Sequence, residues 1–205
     1  MTTTLLEGRG LGLVRGDRWL FGGVDIALGT GELLRVEGPN GSGKTSLLRA
    51  VAGLIEPDDG EVLWRGQPIR RHRQAYHAEL AWMGHRPGFK GDLTPVENLR
   101  FEAGLRAGWK PAADDILQRL GLTPLRRIPY RLLSAGQQRR LALARLVLSG
   151  ATLWILDEPF TNLDAPGREQ VQSLLDEHLA GGGVALAASH QELAIDAPTQ
   201  RIGLQ

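Results

Sequence analysis

Short apolar runs separated by helix-period segments set the pattern of this chain. Leu33-Leu34-Arg35-Val36-Glu37 reads as a strand, and Lys44 to Gly53 as a helix closed by a glycine. Glu61 to Trp64 and Glu79 to Met83 read as further strands, separated by the turn-rich Glu56-Pro57-Asp58-Asp59-Gly60 and the basic Pro68-Ile69-Arg70-Arg71-His72-Arg73. From Pro95 to about Leu133 the strand signals stop, and helical periodicity broken by Pro and Gly takes over. Strand character returns at Thr152 to Leu156 and at Val184 to Ala188. Between them Asp164-Ala165-Pro166, a cap followed by an early proline, marks the start of a helix. This alternation predicts an α/β layered fold with a mainly parallel sheet that brackets a helical subdomain at about residues 88–134. No internal repeat, heptad run or low-complexity linker divides the chain, and the 15 residues after His190 are too few for a further domain, so residues 1–205 read as one domain.

Composition narrows the classes. The 205 residues carry 24 Lys and Arg against 23 Asp and Glu, a formal charge of +1, which argues against a general polyanion binder. Cysteine is absent, which excludes disulfides, thiolate metal sites and a cysteine nucleophile. The longest uncharged apolar stretch, Leu146 to Leu156, is interrupted by Ser149 and Gly150 and falls short of the roughly 20 residues that span a bilayer. The N-terminus has no basic leader followed by an apolar block, so a cytosolic location is expected. All but three basic residues are Arg; the lysines are Lys44, Lys90 and Lys110, which gives a lysine inside a motif added weight.

Gly38-Pro39-Asn40-Gly41-Ser42-Gly43-Lys44-Thr45 fits the phosphate-loop pattern, placed between a strand and a helix as the chemistry requires. The glycines let the backbone wrap a phosphate chain, and the amide N–H groups with the positive end of the helix, including Ser46, attract the anion. Lys44 can reach the outer phosphates, and the Thr45 hydroxyl can ligate Mg²⁺. Leu153-Trp154-Ile155-Leu156-Asp157-Glu158 puts two acids at the end of a run apolar enough for a buried strand, 113 residues after Lys44. Asp157 would orient Mg²⁺ beside Thr45, while Glu158 would polarise the attacking water. Ser134-Ala135-Gly136-Gln137 precedes a helix reaching about Leu148, with Ser134 as its N-cap; read alone, it is either an ordinary capped helix or a second anion site.

Leu133-Ser134-Ala135-Gly136-Gln137, 23 residues ahead of Asp157 counted from Ser134, resembles the signature of ATP-binding-cassette (ABC) ATPases, and the whole chain resembles one nucleotide-binding domain of that family. The resemblance implies a P-loop NTPase fold with an added antiparallel β subdomain, ATP and Mg²⁺ as ligands, and a head-to-tail dimer of two copies. In such a dimer the phosphate loop of one copy and Ser134, Gly136 and Gln137 of the other enclose each ATP. His190, 32 residues after Glu158, resembles the switch histidine that contacts the γ-phosphate; read alone it is a surface or cap histidine. Asn162-Leu163-Asp164 resembles the loop through which the two copies communicate, and Asp164 also suits a helix cap.

Two positions depart from the family pattern. His85 stands where most members carry a glutamine; its imidazole can bond phosphate or metal-bound water, or be a tolerated substitute with no metal contact. The aromatic that stacks on adenine falls near Arg15, with Trp19 the other choice. Gly84-His85-Arg86-Pro87-Gly88 with Leu93-Thr94-Pro95-Val96-Glu97-Asn98-Leu99 narrows the likeness to the ATP-binding subunits of bacterial haem exporters in cytochrome c maturation. That likeness implies a peripheral place on the cytoplasmic face of the inner membrane. It also implies an integral CcmB-like subunit and other cytochrome c maturation proteins as partners, with docking through residues 86–93 and the helices after Pro95. Another small ABC exporter is the alternative. A non-transport ABC ATPase would need a second cassette or a coiled-coil insertion, and a GTPase an Asn-Lys-x-Asp string; none is present. The Arg65 to Arg73 cluster reads as a solvated face or a contact for anionic lipid heads, and no nucleic acid is expected as a partner.

Overall fold

The computed structural model describes residues 4–85, 88–105, 113–189 and 195–205. In chain order its elements are β1 (Thr4–Arg15), β2 (Arg18–Gly29), β3 (Leu33–Glu37), α1 (Lys44–Val51), β4 (Asp59–Trp64), β5 (Gln67–Pro68), α2 (Arg73–Ala78) and β6 (Leu80–Met83). Then follow α3 (Pro95–Leu105), α4 (Ala113–Arg119), α5 (Ala135–Leu148), β7 (Leu153–Asp157), α6 (Ala165–Ala180), β8 (Val184–Ala188) and β9 (Thr199–Gly203), with short 3-10 turns at Ile69–Arg71, Thr123–Leu125 and Tyr130–Leu132. Five strands form an all-parallel sheet in the order β6-β7-β8-β3-β9, and β2-β1-β4-β5 form a separate antiparallel sheet.

The parallel sheet separates two cores, and β7 shows why its sequence is apolar throughout. Leu153 and Ile155 enter the core shared with α1 and the antiparallel sheet, while Trp154 and Leu156 enter the core shared with α3 to α6. A strand covered on both faces has no solvent side on which to alternate. α1 is packed into the first core through Leu47, Leu48 and Val51, each fully buried, together with Leu6, Leu13 and Phe21 of the antiparallel sheet. Truncating either leucine to alanine costs roughly 2–5 kcal/mol, because a matched neighbourhood closes only partly over the void.

The boundaries differ from the sequence expectation in instructive ways. α1 stops at Val51, and Gly53, in the left-handed region with φ 67°, closes the turn two residues later. β6 begins at Leu80, one residue after the expected start, because the Glu79 side chain is used as a tie: its carboxylate accepts from Trp64 Nε1, Arg65 Nη2 and Thr152 Oγ1. Residues 88–94 form a non-helical loop, and helix begins at Pro95, where the sequence pattern puts the onset of helical periodicity. Buried Asn98 braces that loop, donating to the carbonyls of Lys90, Leu93 and Thr94 and accepting from the Lys90 amide. The strands β1, β2 and β9 and the helix α2 were not expected from the sequence pattern. Within the basic cluster, Arg65 pairs with Glu79, Arg70 with Glu56, and Arg73 donates to the Gly53 carbonyl, so part of that charge is spent inside the fold.

Candidate nucleotide site

The loop from Gly38 to Gly43 joins β3 to α1 at the end of the parallel sheet where the strands finish. Gly38 holds φ 146°, and a Cβ there would run into the Leu204 carbonyl and lie 2.7 Å from Ser42 Oγ. Gly43 holds φ 99°, and a Cβ there would lie 2.8 Å from Leu20 Cγ. Both therefore need glycine for conformation and for space. The loop apex, Pro39 to Gly41, is exposed, while Ser42 and Lys44 are buried and Thr45 and Ser46 partly so. The Lys44 ammonium turns back over the loop and donates to the Gly38 and Pro39 carbonyls at 2.8 and 2.9 Å.

The first two acids of the site come from a different element but meet α1 directly or stand beside that meeting point. Thr45 Oγ1 donates to Asp157 at 2.9 Å from Oδ2 and 3.1 Å from Oδ1, joining the first turn of α1 to the end of β7. Asp157 is buried. Glu158 follows at a partly exposed position with φ 51°, and its amide donates to the Ala188 carbonyl at the end of β8 at 2.9 Å. A non-glycine residue in the left-handed region persists only where the surroundings over-determine it, which marks this turn as built rather than incidental.

The residues present suit a triphosphate and a hard divalent cation. Ser42 Oγ is buried without a hydrogen-bond partner among the described residues, in a loop whose glycines leave a backbone cradle that no Cβ fills. Thr45 and Asp157 are oxygen donors, the class that Mg²⁺ prefers.

The structure separates the remaining expected residues into those that share this locale and those that do not. Ser134 caps α5, accepting from the Gln137 amide at 3.3 Å, while Gln137 Oε1 accepts from the Ser134 amide at 2.9 Å. This capping box ties the two signature residues to each other rather than to the phosphate loop of the same chain. Gly136 sits against the Asn162 carbonyl, which a Cβ would approach to 3.0 Å. Asp164 caps α6 through the Gly167 amide and pairs with Arg140, whose hydrogen bond holds the Asp164 carboxyl below its ordinary range. His85 lies exposed just past the end of β6. His190 and Arg86 lie outside the described residues. Trp19 is more than half exposed and packs on Gly12 and Gly22, and Arg15 faces Arg18 across the exposed hairpin end; the adjoining Leu20 and Phe21 lie against Gly43 of the phosphate loop.

One buried residue near the site was missed from the sequence. Arg139, on α5, donates to main-chain carbonyls of Gly84, Asp157, Glu158 and Pro159. Burial pushes its pKa down to about 10, opposed by the nearby Asp157 and Glu158 carboxylates, so it stays charged at neutral pH.

Comparison with known proteins shows the family and the fold. Residues 21–161 match the family described as ABC transporter. The chain is 50% identical over 206 residues to the cytochrome c biogenesis ATP-binding export protein CcmA of Methylococcus capsulatus, covering 100% of both chains. It is 46% identical to the protein of the same name from Escherichia coli K12, covering 98% of this chain and 96% of the other. Among solved structures, the fold resembles a dimeric ATP-binding cassette in a post-hydrolysis state with ADP and Pi, at a TM-score of 0.80 and 20% identity over 91% of this chain and 88% of that one. The chain belongs to the ABC transporter family, among the ATP-binding export proteins of cytochrome c biogenesis.

Proposed function

We propose that this protein is the ATP-hydrolysing subunit of a haem export complex in cytochrome c maturation, held peripherally on the cytoplasmic face of a bacterial inner membrane. The observation that carries the enzymatic part is the Thr45–Asp157 contact, which joins the first turn of the phosphate-loop helix to the strand that ends beside Glu158. The export role named for the relatives supports the transport part.

In this reading the amides from Gly41 to Thr45 and the positive end of α1 receive the β- and γ-phosphates. The Lys44 ammonium, now satisfied by the Gly38 and Pro39 carbonyls, moves only a short way to meet phosphate oxygens. Thr45 and Asp157 would hold Mg²⁺, which supplies neutralisation of charge on the outer phosphates. Glu158 accepts a proton from water as the water oxygen bonds to the γ-phosphorus and the β–γ bridging oxygen leaves with ADP. His85 and His190 are assigned to the γ-phosphate side, and the Arg15 guanidinium plane, with Trp19 as the alternative, to the adenine.

Ser134, Gly136 and Gln137 are proposed to complete the phosphate site of a second copy, head to tail. Their place supports this, because Ser134 and Ala135 are exposed at the N-terminal, positive end of α5. Among the described residues no helix is long and apolar enough to cross a membrane. An integral CcmB-like subunit is the proposed partner, docking on the loop at 88–93 and on α3. The loop is braced by Asn98, and beside it Phe101 is exposed with the Lys90 ammonium 4.5 Å from its ring centroid.

The test is copurification from membranes combined with ATP turnover. Wild-type chain is expected to bring down the integral subunit and hydrolyse ATP, Lys90→Glu to lose the partner while still binding nucleotide, and Lys44→Ala to lose turnover. Unchanged copurification by Lys90→Glu rejects the docking surface, and wild-type turnover by Lys44→Ala rejects the nucleotide site.

A further inference from the structure

Arg139 is 5% exposed, yet it carries a full charge into the core of the site. A buried guanidinium is costly unless its donors are engaged, and breaking such an arrangement is more costly than never building it. Here the fork is engaged on two other segments. Nη1 donates to the Gly84 carbonyl at 2.8 Å, Nη2 to the carbonyls of Asp157 at 2.9 Å and of Glu158, and Nε to the carbonyl of Pro159 at 3.2 Å. Three successive carbonyls of the turn that leaves β7 thus converge on one planar group, with the end of β6 held by the same group.

That turn needs holding. Glu158 occupies φ 51° and Asn162 φ 64°, in the left-handed region that a glutamate in particular rarely adopts. On one side the Glu158 amide is fixed to the Ala188 carbonyl of β8. On the other side its carbonyl, and those of its two neighbours, are fixed by Arg139. The direction of the Glu158 Cα–Cβ bond follows from the orientation of those peptide planes, so the guanidinium fixes the root from which the carboxylate extends.

We infer that Arg139 is the positioning residue for Glu158, clamping the main chain of residues 157–159 so that the carboxylate is presented to the phosphate site. The inference rests on the reading of Glu158 as the group that takes the proton of the attacking water. A lysine at 139 keeps the charge but offers donors from a single nitrogen, which cannot span both the Gly84 carbonyl and those of the 157–159 turn. It therefore separates the fork from the charge.

The experiment is a double-mutant cycle on the purified chain with its membrane partner: wild type, Arg139→Lys, Glu158→Gln and the double variant, each measured for steady-state turnover, equilibrium ATP affinity and folded circular-dichroism signal. Arg139→Lys is expected to lower kcat about tenfold or more, as small misplacements of a reacting group do, while ATP affinity stays within about twofold of wild type. In the Glu158→Gln background the lysine substitution is expected to change the residual turnover by less than about twofold, because nothing remains for the fork to aim. Wild-type kcat for Arg139→Lys, or the same fold loss in both backgrounds, overturns the proposal. If Arg139→Lys loses its folded signal, the cycle is read with Arg139→Gln under the same criteria. Wild-type turnover by Glu158→Gln alone instead overturns the role given to Glu158, a result visible before any Arg139 variant is compared.

Discussion

The Thr45 hydroxyl lies within hydrogen-bond distance of both carboxylate oxygens of Asp157, at 3.1 and 2.9 Å, across 112 positions of sequence. The pair fixes the first turn of α1 against the end of β7. It also defines the cation position in the proposed mechanism, since two oxygen donors face one another where a hydroxyl proton is now shared. Asp157→Asn keeps the volume and loses the charge that favours a divalent ion. Mg²⁺-dependent turnover is expected to fall by about 10²-fold or more, the scale seen when one preorganised electrostatic group is lost, with the folded signal retained. Steady-state assays across a Mg²⁺ titration check this, and an unchanged Mg²⁺ dependence rejects the pairing of Thr45 and Asp157 as the metal site.

Gly43→Ala is expected to damage nucleotide binding through the loop rather than through chemistry. The substitution meets both a φ of 99° and Leu20 Cγ at 2.8 Å from the new Cβ. Strain of about 1–3 kcal/mol is expected, enough to weaken ATP binding by roughly one to two orders of magnitude if the loop reshapes to relieve it. Pairing it with Leu20→Ala should recover part of the loss by relieving the clash, though not the φ penalty. Equilibrium nucleotide titration of both variants decides the matter, and affinity equal to wild type for Gly43→Ala contradicts the cradle geometry.

Acid sensitivity should trace in part to Glu79. Burial raises its pKa, but the hydrogen bonds from Arg65, Trp64 and Thr152 outweigh this and hold it below its ordinary value. A carboxyl with a depressed folded pKa adds stability that is present above the unfolded value, about 4.3 for glutamate, and is lost as pH falls through the lower folded value. The melting temperature is therefore expected to fall as pH drops below about 4.3, and Glu79→Gln to lower it at pH 7 while flattening the acid limb. Melting curves from pH 3 to 7 measure this; identical limbs for the two proteins contradict the assignment.

The elements legible in the sequence are those buried on both faces or punctuated by caps. β3, β7 and β8 are short runs in which apolar residues predominate, and Asp164 and Ser134 cap their helices as their residue types suggest. β1 was illegible because Thr4–Arg15 mixes Gly8, Gly10 and Gly12 with Glu7 and Arg9, and its pairing with β2 shifts register four times, so no period of two survives along it. β9 is an exposed edge strand whose Thr, Gln and Arg give no apolar signal. Arg139 was hidden for a different reason: within Gln137-Gln138-Arg139-Arg140, nothing local distinguishes the arginine that turns inward to four carbonyls from the one that pairs with Asp164.

The phosphate loop and the Thr45–Asp157 pair could be anticipated because motif spacing carries them, whereas the half-site proposed for a second copy has no counterpart to meet within one chain. Ser134, Gly136 and Gln137 are occupied with their own helix terminus and with Asn162, and their proposed ligand is the phosphate chain held by another copy.

Analytical ultracentrifugation of Glu158→Gln tests this arrangement most directly. With ATP and Mg²⁺ the variant is expected to sediment as a dimer, with ADP and Mg²⁺ as a monomer, and a Ser134→Arg change in the same background is expected to abolish the ATP-dependent dimer. A Glu158→Gln protein that binds ATP yet stays monomeric at every concentration, alone and with its membrane partner, contradicts the account.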